Sequence, residues 1–306
     1  MTQAAAISRF RKYQSTPFFR ILISSFIKAT ALMPVGLMGV ISHPFIILFI
    51  LFNKKNFHAI EFNMDRIFNN GLSGIKRMIL AYRVFLNYSY YLIEFFYLSH
   101  NSHRFNKFDI ETSNREYLSN AIERGKGIIF LTLHMGNWEI GGLYFSSLGI
   151  PLHVAYVPDD ADILEKKRSI SRTERGIKEI PLLKNRFSSI RVLRLLQDKG
   201  IVAMQGDRLQ FDKGISLPFF GSPATFPKGP FQLAMASDAT ILPVFIVRKG
   251  KRGFKIILEE PILMEDRLET NICKILPVFE RYIKRYPDQW YTFMPFWDED
   301  MEDLSQ

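Results

Sequence analysis

The sequence predicts an α/β protein: a mostly parallel sheet flanked by helices, preceded by a hydrophobic, membrane-anchoring helical segment. Three observations predict it. From about residue 111, short apolar runs alternate with amphipathic stretches, the pattern of strand–helix–strand units. The run 128–133 is apolar without alternation, as expected of a strand buried on both faces. Residues 29–52 form 24 consecutive positions without Asp, Glu, Lys or Arg.

That first run exceeds the ~20 residues needed to cross a hydrocarbon core. No small-residue cleavage site follows it, so it reads as a retained anchor rather than a signal peptide. Arg9, Arg11, Lys12, Arg20 and Lys28 precede it and Lys54 and Lys55 follow, so charge does not fix its orientation. Pro34, His43 and Pro44 leave open a kinked hairpin or two interfacial segments. The organisation expected is an anchor over 1–55, a helical subdomain over 56–110 and a catalytic α/β domain over 111–306.

Residues 57–98 read as helical with a break at Asn69-Asn70-Gly71, and residues 88–97 are rich in aromatics. A helix over 114–123 leads into a strand over 127–133 and a helix over 138–147. A strand over 152–157 precedes a basic helix over 161–176, and a helix over 188–199 leads to a strand over 201–205. Phe226-Pro227-Lys228-Gly229 opens a helix to Ser237; strands over 241–247 and 254–258 and a helix over 268–286 complete the pattern. In such sheets ligands bind beyond the carboxyl ends of the strands. His134 and Asp207 are both expected there.

Composition narrows the function. With 306 residues and 47% hydrophobic content, the chain can bury a sizeable core. Its single cysteine, Cys273, excludes an internal disulfide. The formal charge of +10 is concentrated: residues 165–199 hold eleven Lys/Arg against four Asp/Glu, an excess of seven. Such a stretch attracts anionic surfaces or acidic partners. Zinc-finger spacing, RNP-like aromatic blocks and helix-turn-helix signals are absent, so nucleic acid is not an expected partner.

The residues that carry chemistry lie in His134-Met-Gly-Asn-Trp-Glu139. A strand delivers a histidine into a Gly-Asn turn, where Asn137 caps the next helix. A carboxylate five residues on, folded back across the turn, is expected to meet the imidazole. A histidine oriented by a carboxylate is what a general base requires. The sequence holds no Gly-x-Ser-x-Gly elbow, P-loop, Gly-x-Gly-x-x-Gly or His-Glu-x-x-His, so neither covalent nucleophile, cofactor nor metal is expected. What remains is a base that activates a substrate's own nucleophile.

His134-Met-Gly-Asn-Trp-Glu139 resembles the His-x-x-x-x-Asp/Glu block of the lysophospholipid acyltransferase superfamily, and more closely that of the late acyltransferases of bacterial lipid A biosynthesis. Met204-Gln-Gly-Asp207-Arg208, the Leu217-Pro-Phe-Phe-Gly221…Ala224-Thr225…Gly229-Pro230…Leu233-Ala234 segment, and Arg172 on the helix after the second strand match further blocks in order and spacing. The resemblance covers nearly the whole chain. It implies direct transfer of a fatty acyl group from a thioester donor, acyl carrier protein or acyl-CoA, to a lipid hydroxyl, in a protein of the bacterial inner membrane with its catalytic domain in the cytoplasm. On this reading His134 is the base and Glu139 fixes its tautomer. Asn137 and nearby backbone N–H groups steady the oxyanion, Asp207 and Arg208 hold a headgroup, and Arg172 binds phosphate. The basic stretch docks the acidic carrier protein. Near the C-terminus the family's Pro-x-Gln-Trp core is kept as Pro287-Asp-Gln-Trp290, but its following cations are replaced by Asp298, Glu299 and Asp300. A phosphorylated lipid A precursor would favour those cations, so a glycerolipid, aryl-polyene or aminolipid acceptor stays open, as does a catalytically silent scaffold of the same fold.

Overall fold

The computed structural model describes residues 25, 28, 29, 33–99, 102–158, 162–183, 186–209, 214–250 and 252–298. Arg9, Arg11, Lys12, Arg20, Lys184, Glu299 and Asp300 lie outside the described residues, as do the side chains of Lys166, Lys167 and Arg186. Three helices come first: α1 (Val35–Phe52), α2 (Lys54–Ile67) and α3 (Gly74–Ser99). There follow β1 (Asp109–Ser113), α4 (Glu116–Glu123), β2 (Ile128–Thr132), α5 (Trp138–Ser147), β3 (Leu152–Tyr156), α6 (Asp162–Thr173), β4 (Lys178–Pro181), α7 (Arg186–Gln197) and β5 (Ile201–Gln205). The chain continues through β6 (Gly214–Phe219), β7 (Ser222–Pro227), α8 (Gly229–Ser237), β8 (Thr240–Lys249), β9 (Gly253–Leu258) and α9 (Leu268–Arg285).

Seven strands form one sheet in the order β1-β9-β8-β2-β5-β3-β4, parallel except where β8 meets β9. All five residues of β2 are buried. Ile129 and Leu131 pack on one face with Val202, Met204 and Phe245, whereas Ile128 and Phe130 pack on the other with Ile201, Val244 and Ile246. The period of two explains why the strand reads as an unbroken apolar run: both of its faces are core.

Three pieces of the fold depart from expectation for local reasons. β4 lies in a charged stretch, and β1 is a polar edge strand, so neither offers an apolar run. β6 and β7 form a separate antiparallel hairpin turned by Phe220 and Gly221, both with positive φ (50° and 82°). Phenylalanine there replaces the usual Asn-Gly signal of such a turn.

α1 is one continuous helix across Pro44, so no hairpin forms there. Val35, Met38, Gly39, Ser42 and Ile46 are buried, and Val35 and Met38 share the core of Ile128 and Phe130. A Cβ on Gly39 would fall 2.3 Å from the Tyr90 hydroxyl, so α1 meets α3 at close range. Ser42 and Ser89 hydroxyls lie 3.3 Å apart beside that crossing. Only 28% of this 18-residue helix is covered by protein, at a mean hydropathy of 2.3.

Candidate active site

The register of the sheet fixes the site. Thr132 pairs with Gln205, so His134 and Asp207, each two residues farther on, leave neighbouring strands at one level. Asp207 is 2% exposed and accepts from His134 Nδ1 at 2.7 Å. The His134 backbone N–H reaches both of its oxygens, at 3.1 and 3.0 Å, and the Trp290 indole N–H reaches Oδ2 at 2.9 Å. An ionised carboxylate only accepts, so Nδ1 carries the imidazole proton and Nε2 is left basic.

Burial pushes Asp207 up, but His134, Arg208 and the Trp290 indole outweigh it and hold the carboxyl below its usual range. His134 lies below 6.5: burial and the nearby Arg208 cation outweigh the pull of Asp207. A neutral imidazole over an ionised carboxylate is therefore the resting state near pH 7.

The turn after His134 is clasped by the C-terminal segment. Gly136 donates to the Gln289 carbonyl at 2.9 Å, Tyr291 donates to the His134 carbonyl at 2.8 Å, and Met135 bridges to Trp290. Gly136 has φ of 59°, and a Cβ there would sit 1.7 Å from the Ile246 carbonyl oxygen. Nothing but glycine fits. The Pro287-Asp-Gln-Trp290 core thus holds the His134 turn and the acid beneath it, which its motif alone did not reveal.

Three expectations need correction. Glu139 does not meet His134; its carboxylate is held by Arg172 through Nη2 at 2.5 Å and Nε at 3.1 Å. A helix has begun at Trp138, and five residues of turn and helix carry Glu139 away from the imidazole. Arg172 also donates to Glu179 at 2.9 Å and lies over Tyr156, so this buried cation is committed to two carboxylates and not to phosphate. Asn137 is 1% exposed; Oδ1 accepts from the Ile140 N–H and Nδ2 donates to Glu94, so its side chain is turned into the protein rather than toward an oxyanion. The Gly136 and Asn137 N–H groups are likewise engaged, by Gln289 and Ile246 carbonyls.

Further groups appear that sequence reading missed. Glu94 is fully buried beneath Asn137 and pairs with Arg248; burial raises its pKa against the pull of that cation. The Tyr91 ring lies 4.4 Å from that of Trp138, tilted by 36°, and the Trp138 ring stands edge-on to His134 at 5.6 Å. Arg208 is exposed, and donates to the Tyr291 carbonyl at 2.5 Å. The basic stretch turns partly inward: Arg172 is buried, Arg168 is part-buried, and Arg175 bonds Ser171 and the Leu98 carbonyl.

The arrangement is suited to removing a proton from a nucleophile delivered to Nε2. The chain is 25% identical over 191 residues to a phosphatidylinositol mannoside acyltransferase of Mycolicibacterium smegmatis, covering 61% of this chain and 62% of that protein. It is 25% identical over 228 residues to a phosphatidylinositol mannoside acyltransferase of Mycobacterium tuberculosis, covering 72% of this chain and 70% of that one. The family model of the bacterial lipid A biosynthesis acyltransferases matches residues 9–299, and the chain belongs to that family.

Proposed function

We propose that the protein is a membrane-anchored acyltransferase that moves a fatty acyl chain from a thioester donor to a hydroxyl of a glycolipid. The observation that carries this reading is the His134–Asp207 pair at the carboxyl edge of the sheet, with Nδ1 spent on Asp207 and Nε2 basic. Nε2 takes the acceptor hydroxyl proton as its oxygen attacks the thioester carbonyl. The tetrahedral intermediate collapses, the C–S bond breaks, and the imidazolium returns the proton to the departing thiolate. Asp207 stabilises the imidazolium, and exposed Arg208, next in sequence to Asp207, is the cation assigned to the developing oxyanion. Glu139 and Arg172 act as a buried brace under α5 rather than as reacting groups.

Acyl carrier protein is the proposed donor, with acyl-CoA as the alternative thioester of the same chemistry. Lipid A precursors and phosphatidylinositol mannosides share a sugar hydroxyl on a membrane lipid, which is the acceptor class proposed. α1 spans ~27 Å at 1.5 Å per residue, close to the thickness of a hydrocarbon core, which supports membrane anchorage; the location proposed is the bacterial inner membrane with the sheet on the cytoplasmic side, where the thioester donor would be met. The test is lipid mass spectrometry of cells with the protein, without it, and with His134→Ala. One glycolipid is expected to gain a single acyl mass only with the intact protein. No acyl difference among the three strains would overturn the assignment.

A further inference from the structure

The ends of four strands are level. Thr132 pairs with Gln205, the β3–β5 register carries Tyr156 to the same height, and Tyr156 pairs with Pro181. Leu183 therefore leaves β4 at the height at which His134 leaves β2, three strand spacings or about 14 Å away. Among the described residues around that point, four exposed side chains are apolar: Val157 follows β3, Leu183 follows β4, and Phe187 and Ile190 lie in the first turns of α7, with exposures of 39%, 49%, 80% and 42%. The Leu183 N–H is tied to Ser188 Oγ at 3.1 Å, so this rim is held in place.

α7 arranges the rim by depth. Ser188, Val192 and Leu196 face the core, while Phe187, Ile190, Arg191 and Arg194 are exposed at i, i+3, i+4 and i+7. Behind Arg186, which opens the helix and whose side chain lies outside the described residues, Phe187 and Ile190 occupy the first turns beside the site, and Arg191 and Arg194 follow farther back. Seven residues of helix put Arg194 about 10 Å behind Phe187. That order matches an element whose apolar tip enters a bilayer by ~5–10 Å while its cations stay among anionic headgroups. α1, a further exposed apolar element, packs against Tyr90 and Ser89, beside the Tyr91 whose ring meets Trp138 at the site.

We infer that Val157, Leu183, Phe187 and Ile190 form a second membrane contact, which seats the mouth of the His134 site in an anionic leaflet so that an acceptor lipid enters sideways from the bilayer. The inference rests on the lipid-acyltransferase reading for its purpose, but its test does not depend on activity. The full chain, with exposed Cys273 changed to Ser, is labelled with an environment-sensitive dye at Phe187→Cys and, as a control at the opposite edge of the sheet, at Lys126→Cys. With vesicles of phosphatidylglycerol and phosphatidylcholine, the dye at position 187 is expected to shift to the blue and be quenched by spin-labelled lipid; the control dye is not. In an activity arm, Phe187→Ser with Ile190→Ser is expected to lower transfer to vesicle-borne acceptor about tenfold while leaving transfer in detergent micelles unchanged, since apolar insertion is lost. A dye at position 187 that stays aqueous on vesicles overturns the inference, as does one that responds to acyl carrier protein instead. Equal loss of activity in vesicles and micelles overturns it as well. Absence of all transferase activity with a blue-shifted dye would refute the functional reading and leave the membrane contact standing.

Discussion

Replacing Asp207 by Asn removes one negative charge from beneath His134 while nearly keeping the side-chain volume. The wild-type carboxylate accepts from Nδ1, from the His134 N–H and from the Trp290 indole. Asn turns one of its two terminal atoms into a donor, which must then face a donor. When His134 takes a proton in the transition state, the imidazolium and carboxylate form a buried ion pair. At about 4 Å and an effective dielectric of about 20 such a pair is worth about 4 kcal/mol. At ~1.4 kcal/mol per tenfold, kcat is expected to fall about 10³-fold. A second signature separates chemistry from misfolding. Asp207 raises the His134 pKa against burial, so its neutralisation lowers that pKa further. The acid limb of kcat/KM, which follows loss of the neutral base, therefore moves to lower pH. The assay is transfer from a short acyl thioester to detergent-dispersed acceptor across pH 4.5–8, roughly the window in which a lowered histidine titrates. A variant with near wild-type kcat, or a limb that moves toward alkaline pH, would refute the assignment of Asp207.

Arg208→Gln removes a cation that lowers the His134 pKa, so the acid limb is expected to move up toward the ordinary histidine value, opposite to Asp207→Asn. Glu139→Gln leaves Arg172 buried with one carboxylate, Glu179, and is expected to cost about 3 kcal/mol of stability, read as a melting temperature lower by about 5–10 °C. Its folded fraction is expected to keep kcat within about tenfold, because Glu139 braces α5 and does not touch His134. The wild-type Glu139 carboxyl lies below its usual range: burial raises it, but Arg172 and Arg168 outweigh burial. Its contribution is thus present above the unfolded carboxylate value and fades as pH falls, so the melting difference between wild type and variant shrinks in acid.

The parts of the fold that sequence reading reached are those whose cause is local. The buried β2 run, the Gly136-Asn137 turn and α5 over Trp138–Ser147 follow from apolar patterning and capping, and all three appear where expected. Asn69 and Asn70, both at positive φ, break the helical stretch between α2 and α3 as their side chains suggested. Partner choice was not legible. His134 has two carboxylates in reach of its motifs, Glu139 nearby in sequence and Asp207 73 residues away, and only the β2–β5 register decides for Asp207. The same holds for Arg172, whose charge suggested phosphate but whose burial reserves it for Glu139 and Glu179. Glu94 was invisible because a lone acid in an aromatic helix gives no sign that Asn137 and Arg248 will close around it.

The central claim is that His134 is the base of a direct acyl transfer, and it is tested most directly by His134→Ala. Purified wild type and variant, matched in melting temperature, are compared for transfer from a short acyl thioester to detergent-dispersed glycolipid acceptor. Loss of general-base catalysis predicts a rate lower by about 10²–10⁴-fold, with no acyl adduct on either protein by intact mass. Near wild-type turnover in the variant, or a stable acyl adduct on the wild type, would contradict the account.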